Sequence, residues 1–251
     1  MVSTSKQTKS PAAGGGVAEL LRTLLYALVV ALAIRTIAYE PFSVPSESML
    51  PTLEVGDYFF VSKYSYGYSR HSLPFSPPLF SGRIFEDEPE RGDVAVFKLP
   101  IDNKTDYVKR VIGLSGDRIQ MVEGILHIND EPVRREVVPS DVYVDREGNS
   151  ILYRESMPSG ASYLTLDRRE TFQDNTDVYV VQDGHYFMMG DNRDNSIDSR
   201  FERDVGQVPA QNFVGRAEII FFSGNGFARW WEVWKWPWGI RYGRIADSLR
   251  W

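Results

Sequence analysis

Two patterns of apolar residues divide the chain. From Leu20 to Tyr39 they run almost unbroken, and from Phe42 onward they come in short β-branched or aromatic bursts. The first pattern predicts a membrane-spanning helix over Val17 to Tyr39. Its uncharged middle, Thr23 to Ile34, is shorter than the ~20 residues a bilayer needs, but Leu20 to Tyr39 reaches that length. Arg22 and Arg35 lie near the ends, where long stems let a guanidinium reach the headgroups. Lys6, Lys9 and Arg22 predict a cytoplasmic N-terminus, with the rest of the chain outside. Ala31-Leu32-Ala33 also resembles the end of a cleavable leader, so clipping stays open beside retention.

The second pattern predicts strands at Tyr58 to Val61, Val94 to Phe97 and Tyr107 to Ile112, with Gly-Asp pairs at 56–57, 92–93, 116–117 and 190–191 as turn signals. Arg118 to Val122 and Ile125 to Ile128 read as a hairpin through Glu123-Gly124. Strands follow at Ser162 to Leu166, Val178 to Val181, His185 to Met189 and Ala217 to Ser223. Tyr64 to Pro89 reads as a long ribbon or an ordered loop. No long 3.6-residue period recurs after Tyr39. The fold class is therefore mainly β: an antiparallel-sheet domain with a small inserted β-rich domain, preceded by one N-terminal transmembrane helix. The expected boundaries are a disordered tail at 1–16, the helix at 17–39, and the larger β domain at 40–117 and 185–224. A smaller domain is expected at 118–184 and a Trp-rich tail at 225–251.

Composition narrows the chemistry. A net charge of −6 over 251 residues argues against nucleic acid as a partner. Without cysteine there is no disulfide, thiolate nucleophile or zinc–thiolate site. The three histidines, His71, His127 and His185, sit in no convincing catalytic turn. All six tryptophans (230, 231, 234, 236, 238 and 251) fall in the last segment, interleaved with Arg229, Lys235, Arg241 and Arg244. That mixture suits a membrane–water interface, and equally rings packed on the β domain.

Three stretches carry candidate chemistry. In Pro45-Ser46-Glu47-Ser48-Met49-Leu50-Pro51, the prolines stiffen an extended or turning segment. Residues i and i+2 then point the same way, which suits a nucleophile beside an oxyanion donor. Lys109 is flanked by apolar strand residues, with Tyr107 and Val111 on its face. An unperturbed lysine is neutral in only about one molecule in 2,500 at pH 7, and burial raises that fraction steeply. With no usable histidine, Ser–Lys is the natural pairing. The third stretch, Gly190 to Arg200, is rich in turn formers and carboxylates. It fails the calcium-loop pattern, because Arg193 and Ser196 stand where Asp or Asn and Gly belong.

Ser48-Met49-x-Pro51-Thr52-Leu53, Gly56-Asp57, Tyr107-Val108-Lys109-Arg110-Val111-x-Gly113-x-x-Gly116-Asp117 and Gly190 to Arg200 occur in that order. Behind an apolar N-terminal segment, the chain resembles the bacterial type I signal peptidases, membrane-bound Ser–Lys endopeptidases that remove signal peptides from exported proteins. The resemblance implies Ser48 as nucleophile and Lys109 as general base, with the Ser48 N–H and the Ser46 hydroxyl as oxyanion hole. It implies that Ser196 hydrogen-bonds the Lys109 amine, and that Asp198 and Arg200 pair to brace the loop. Phe42, Val44, Met49, Leu53, Phe59, Val96, Tyr107 and Val108 would line shallow pockets for small side chains. The extended peptide would pair with edges near Ser43 to Ser46 and Asp106 to Val108. The implied partners are signal peptides and a lipid bilayer, with no cofactor, no metal and a monomeric state. The implied location is the bacterial inner membrane with the catalytic domain outside.

The chain departs from the family in three ways: Glu47 stands where glycine is also common and is expected to face solvent; one anchoring helix is found rather than two; the segment between Asp117 and His185 is short. Two other readings are open at this point. A self-cleaving Ser–Lys repressor-type protease would lack the anchor and carry a DNA-binding module. An anchored β-rich envelope binding protein would use the same motifs as turns.

Overall fold

The computed structural model describes residues 16–73, 76–78, 80–139, 150–168, 170–227 and 232–250. Helix α1 spans Gly16–Ile37, and its 22 residues extend about 33 Å, close to the ~30 Å of a bilayer's hydrocarbon core. It buries none of its side chains against the protein, and its mean hydropathy reaches 2.1. Length and composition thus suffice for a membrane crossing. Tyr39 lies outside the helix and opens the first strand.

The strands are β1 (Tyr39–Ser43), β2 (Asp57–Ser62), β3 (Val94–Lys98), β4 (Asp106–Gly113), β5 (Arg118–Val122), β6 (Ile125–Ile128), β7 (Glu131–Pro132), β8 (Arg134–Val137), β9 (Ile151–Ser156), β10 (Ser162–Asp167), β11 (Tyr179–Val180), β12 (His185–Met189), β13 (Val208–Pro209) and β14 (Phe213–Ser223). They build an antiparallel seven-stranded sheet in the order β1-β2-β14-β3-β4-β12-β13, a sheet β11-β5-β6-β7 and a sheet β10-β9-β8. Strand β3 reads as a continuous apolar run because both its faces are covered. Val94 and Val96 join one cluster with Met49, Leu53 and Phe59, while Ala95 and Phe97 join another with Val111 and Phe213.

The two smaller sheets fall between β4 and β12 in sequence, in the stretch expected as an insertion. They do not form a separate core. Ile119, Leu126, Met157 and Tyr163 share one cluster with Ile112, Phe187 and Met189 of the large sheet. The loop from Tyr64 holds two single 3₁₀ turns, Tyr64–Tyr66 and Arg70–Ser72, and a bridge between Tyr68 and Ile84.

The last segment is divided in its environment. Trp230, Trp231 and Trp251 lie outside the described residues. Trp234 and Trp238 are exposed around the one-turn helix α2 (Trp236–Gly239). Beyond it the chain returns along β14 through bridges Gly224–Ile240 and Ile219–Ser248, and Leu249 enters the core beside Met49 and Leu53.

Candidate active site

Ser48 sits in a tight turn after β1, not on an extended segment. The Leu50 N–H donates to the Glu47 carbonyl and the Leu53 N–H to the Met49 carbonyl. The turn, rather than strand alternation, brings the two hydroxyls together, with Ser46 Oγ 3.3 Å from Ser48 Oγ. Glu47 is half-buried rather than fully turned to solvent.

Strand β4 delivers Lys109 opposite Ala95 of β3. Its Nζ stands 2.7 Å from Ser48 Oγ and 3.0 Å from the Val108 carbonyl, which it donates to, and 5.3 Å from the centre of the Tyr107 ring. The residue is only 4 % exposed. Burial pushes its pKa down to about 8, with Asp198 and Asp191 pulling it partly back up. At that value roughly a tenth of the amine is neutral at pH 7. A neutral amine at this distance is within hydrogen-bond reach to accept a proton from a hydroxyl.

The Gly190–Arg200 loop packs against this pair. Asp198 and Arg200 form a buried two-pronged ion pair, 2.9 Å at each prong. The Asp198 carboxyl also accepts the Gly190 N–H, and Arg200 donates to the Arg193 carbonyl. Burial by itself would raise the Asp198 carboxyl, but the Arg200 charge and hydrogen bonds hold it below the usual range. Ser196 departs from expectation. Its hydroxyl is buried beside Ser48 and Lys109 and lies against the Asp198 carboxyl, while the Lys109 amine bonds to Ser48 and Val108 instead.

An open cleft of about 470 Å³ is lined by Ser46, Ser48 and Lys109, with Tyr107, Val108 and Ile197 among its walls. Of the eight residues expected to line pockets, Tyr107 and Val108 do so. Val44, Met49, Leu53, Phe59 and Val96 are closed into the core cluster, with Phe42 packed on its edge. Apolar contact removes them from water on every side, so they form the floor under the turn rather than open surface.

Sequence reasoning passed over the brace behind the dyad. Arg110 makes a buried two-pronged pair with Asp191 at 2.8 and 2.6 Å, and Asp191 also accepts the Thr52 hydroxyl. Arg110 lies next to Lys109 and Thr52 four residues past Ser48, so the Lys109 strand and the Ser48 turn are tied to one carboxylate. A strand arginine beside the candidate base was the available signal. The carboxylates of Asp167, Asp174 and Asp194 come within 4.8 Å of one another, but Arg135 already pairs with Asp167 and the Thr171 N–H with Asp174.

A family model described as signal peptidase, peptidase S26 matches residues 17–222. A signal peptidase I of Rickettsia canadensis (strain McKiel) is 43% identical over 225 residues, covering 86% of this chain and 83% of that protein. Those of Rickettsia typhi (strain ATCC VR-144 / Wilmington) and Rickettsia bellii (strain OSU 85-389) are 41% identical over 245 residues and 40% over 253. They cover 89% and 92% of this chain, and 90% and 86% of their own lengths. With a buried lysine amine against a serine hydroxyl at its centre, the chain belongs to the signal peptidase, peptidase S26 family of serine peptidases.

Proposed function

We propose that this chain removes signal peptides from exported preproteins through a Ser48–Lys109 dyad. The observation that carries the reading is the 2.7 Å contact between an amine buried enough to lose its proton and a hydroxyl at the mouth of a cleft. The neutral Lys109 amine takes the Ser48 proton as Oγ attacks the scissile carbonyl carbon. The carbonyl electrons move onto oxygen, which is received by the Ser48 N–H and the Ser46 hydroxyl. One such donor is worth ~3–4 kcal/mol in the transition state. The intermediate collapses by expelling the new amino terminus, which leaves with the proton from Lys109. Lys109 then takes a proton from a water as it attacks the Ser48 ester, and gives that proton to Ser48 Oγ as the acyl carbon–Oγ bond breaks and the free acid leaves.

The peptide edge has structural support. Strand β4 pairs with β12 only from Arg110 onward, which leaves Asp106 to Val108 unpaired on that side, at the cleft. A substrate strand can pair there and present alternate side chains to the wall. Small residues at the first and third positions before the cut fit a wall whose apolar floor is closed. The domain arrangement follows: α1 holds the chain in the membrane with its N-terminus cytoplasmic and the sheets outside. Exposed or half-buried rings of Tyr39, Phe60, Phe221 and Tyr58 touch one another across β1, β2 and β14, beginning just past α1. This face and the Trp-rich tail suit the membrane–water interface.

The test is cleavage of a preprotein bearing an Ala-x-Ala site by the full chain in detergent. Ser48→Ala and Lys109→Met are expected to abolish cutting while circular dichroism stays unchanged. Cutting at that site by the well-folded Ser48→Ala protein would overturn the assignment.

A further inference from the structure

The segment Gly190 to Asn192 lies directly on the turn that carries Ser48. Asn192 is fully buried. Its backbone N–H donates to the Ser48 carbonyl at 3.1 Å, and its side-chain Nδ2 donates to the Glu47 carbonyl at 3.0 Å. The Glu47 carbonyl and the Ser48 N–H belong to one peptide unit. That unit is planar and trans, so its C=O and N–H point in opposite directions. A donor that fixes the oxygen therefore fixes the aim of the N–H. Hydrogen bonding at the oxygen also polarises the amide and strengthens its other end as a donor.

We propose that Asn192 is the positioning residue of the oxyanion hole: its side-chain amide holds the Glu47–Ser48 peptide plane so that the Ser48 N–H is aimed at the developing oxyanion. This rests on the Ser48–Lys109 reading and adds to it a residue that never touches substrate. The clamp is itself anchored on both sides. The Asp191 carbonyl accepts the Leu166 N–H at 2.8 Å, and Leu166 bridges to Asn192. The Asp191 carboxylate holds Thr52 and Arg110. Two consecutive residues thus grip the turn at Glu47, Ser48 and Thr52, while Arg110 ties the grip to the strand of Lys109.

The amide's orientation follows from its surroundings. A flipped Asn192 would set Oδ1 against the Glu47 carbonyl, two acceptors facing. In the observed orientation Oδ1 is buried without a hydrogen-bond partner among the described residues. An orphaned acceptor has a cost in free energy, so the side chain is selected for what its donor does.

The experiment compares Asn192→Ala and the gentler Asn192→Ser with the unmodified full chain in detergent. Each is assayed for kcat, KM and thermal midpoint. Each is also tested for binding of a substrate-sequence peptide aldehyde, whose adduct places an oxygen in the hole, and of the matching product peptide, which does not. The proposal expects kcat to fall at least tenfold with KM within about threefold, since losing an oxyanion donor outright costs ~10²–10³. Aldehyde affinity should fall by a similar factor while product-peptide affinity holds. Unchanged kcat and aldehyde affinity would overturn it. Equal weakening of aldehyde and product peptide, or failure of both variants to fold, would also overturn it by making Asn192 a purely structural residue. Ser48→Ala separates the layers: if it is inactive while the Asn192 variants keep full kcat, only the present inference fails.

Discussion

A Cβ placed on Gly190 would stand 2.5 Å from the Ser48 carbonyl oxygen and 2.2 Å from the Ser196 hydroxyl. Glycine is required here for space, since Gly190 is not among the residues with positive φ. The turn that carries Ser48 and the loop that carries Ser196 meet at this point with no room for a methyl group.

Gly190→Ala should therefore push the loop off the turn. Overpacking of this kind costs ~1–3 kcal/mol, and a displacement near 1 Å at a reacting group lowers the rate by about 10²-fold. Preprotein cleavage and a thermal melt check both. Near-normal kcat in Gly190→Ala would mean that the loop and the turn adjust independently.

The Lys109 amine fixes a pH dependence. Its pKa of about 8 predicts a rate that rises with pH and levels off above that value. The same shift bears on stability, with a definite sign. The unfolded amine titrates near 10.5 and the folded one near 8, so the unfolded chain binds more protons in between. Below pH 8 the full cost applies, about 3 kcal/mol, and it fades as pH rises toward 10.5. Lys109→Met should be inactive yet melt higher than the unmodified chain at pH 7, with the gap closing by pH 10. A variant that melts lower at both pH values would show that the amine is well solvated.

The buried Asp57 gives a third prediction. It is 0 % exposed and receives Arg244 at 2.6 Å and Arg241 at 3.1 Å, while Arg244 also donates to the Thr52 carbonyl at 2.9 Å. Burial alone would raise the Asp57 carboxyl, but bonds from Arg244, Ser223 and the Glu54 N–H keep it low. Arg244→Gln leaves that carboxylate half-compensated and should cost ~2–3 kcal/mol, somewhat under the loss expected for a fully buried pair because Arg241 remains. A depressed carboxyl contributes its stability above the unfolded value of 3.8 and loses it as pH falls through the folded value. The difference between the two proteins should thus be full at pH 6 and shrink below pH 4. Urea melts at both pH values read it directly, and a gap that is constant with pH would place the effect elsewhere.

How far these sites were legible varies with the kind of contact. The α1 stretch, the β5–β6 hairpin and the strand bearing Lys109 follow from local periodicity, and the structure has them within a residue or two. Ser48 and Lys109 were picked out from ordered motifs, and their contact joins residues far apart in sequence that only the sheet brings together. The prolines leave extended and turning geometries open around Ser46 and Ser48, and the turn is what brings the two hydroxyls together. The Ser196 bond and the open pockets were inferred by family likeness. They depend on rotamers and on how tightly Val44, Met49 and Phe59 close, which no periodicity encodes. Asn192 was invisible as a clamp because its partners are backbone carbonyls, and these leave no trace in side-chain identity.

The last prediction concerns the outer face of β1, β2 and β14. Tyr39 follows α1 by two residues, and its ring contacts Phe60, whose ring stacks on Phe221 at 4.3 Å. Phe221 is 37 % exposed, and Trp234 and Trp238 are exposed at 64 % and 70 %. Rings left in water on a sheet face that begins at the foot of a helix fit to cross a bilayer have the headgroup layer as their natural partner, and the exposed Trp234 and Trp238 carry the same chemistry. Taking one such ring out of water is worth ~1.5–3 kcal/mol, so several together would hold the cleft at a fixed height above the lipid. In proteoliposomes, bromine on the upper acyl chain should quench the tryptophan fluorescence, and Trp238→Ser should reduce the quenched fraction. Phe221→Ser with Trp238→Ser should raise KM severalfold for a membrane-inserted preprotein and leave a short soluble peptide's kcat/KM unchanged. Equal effects on both substrates would locate the damage in the cleft itself, and absence of quenching would turn this face away from the membrane.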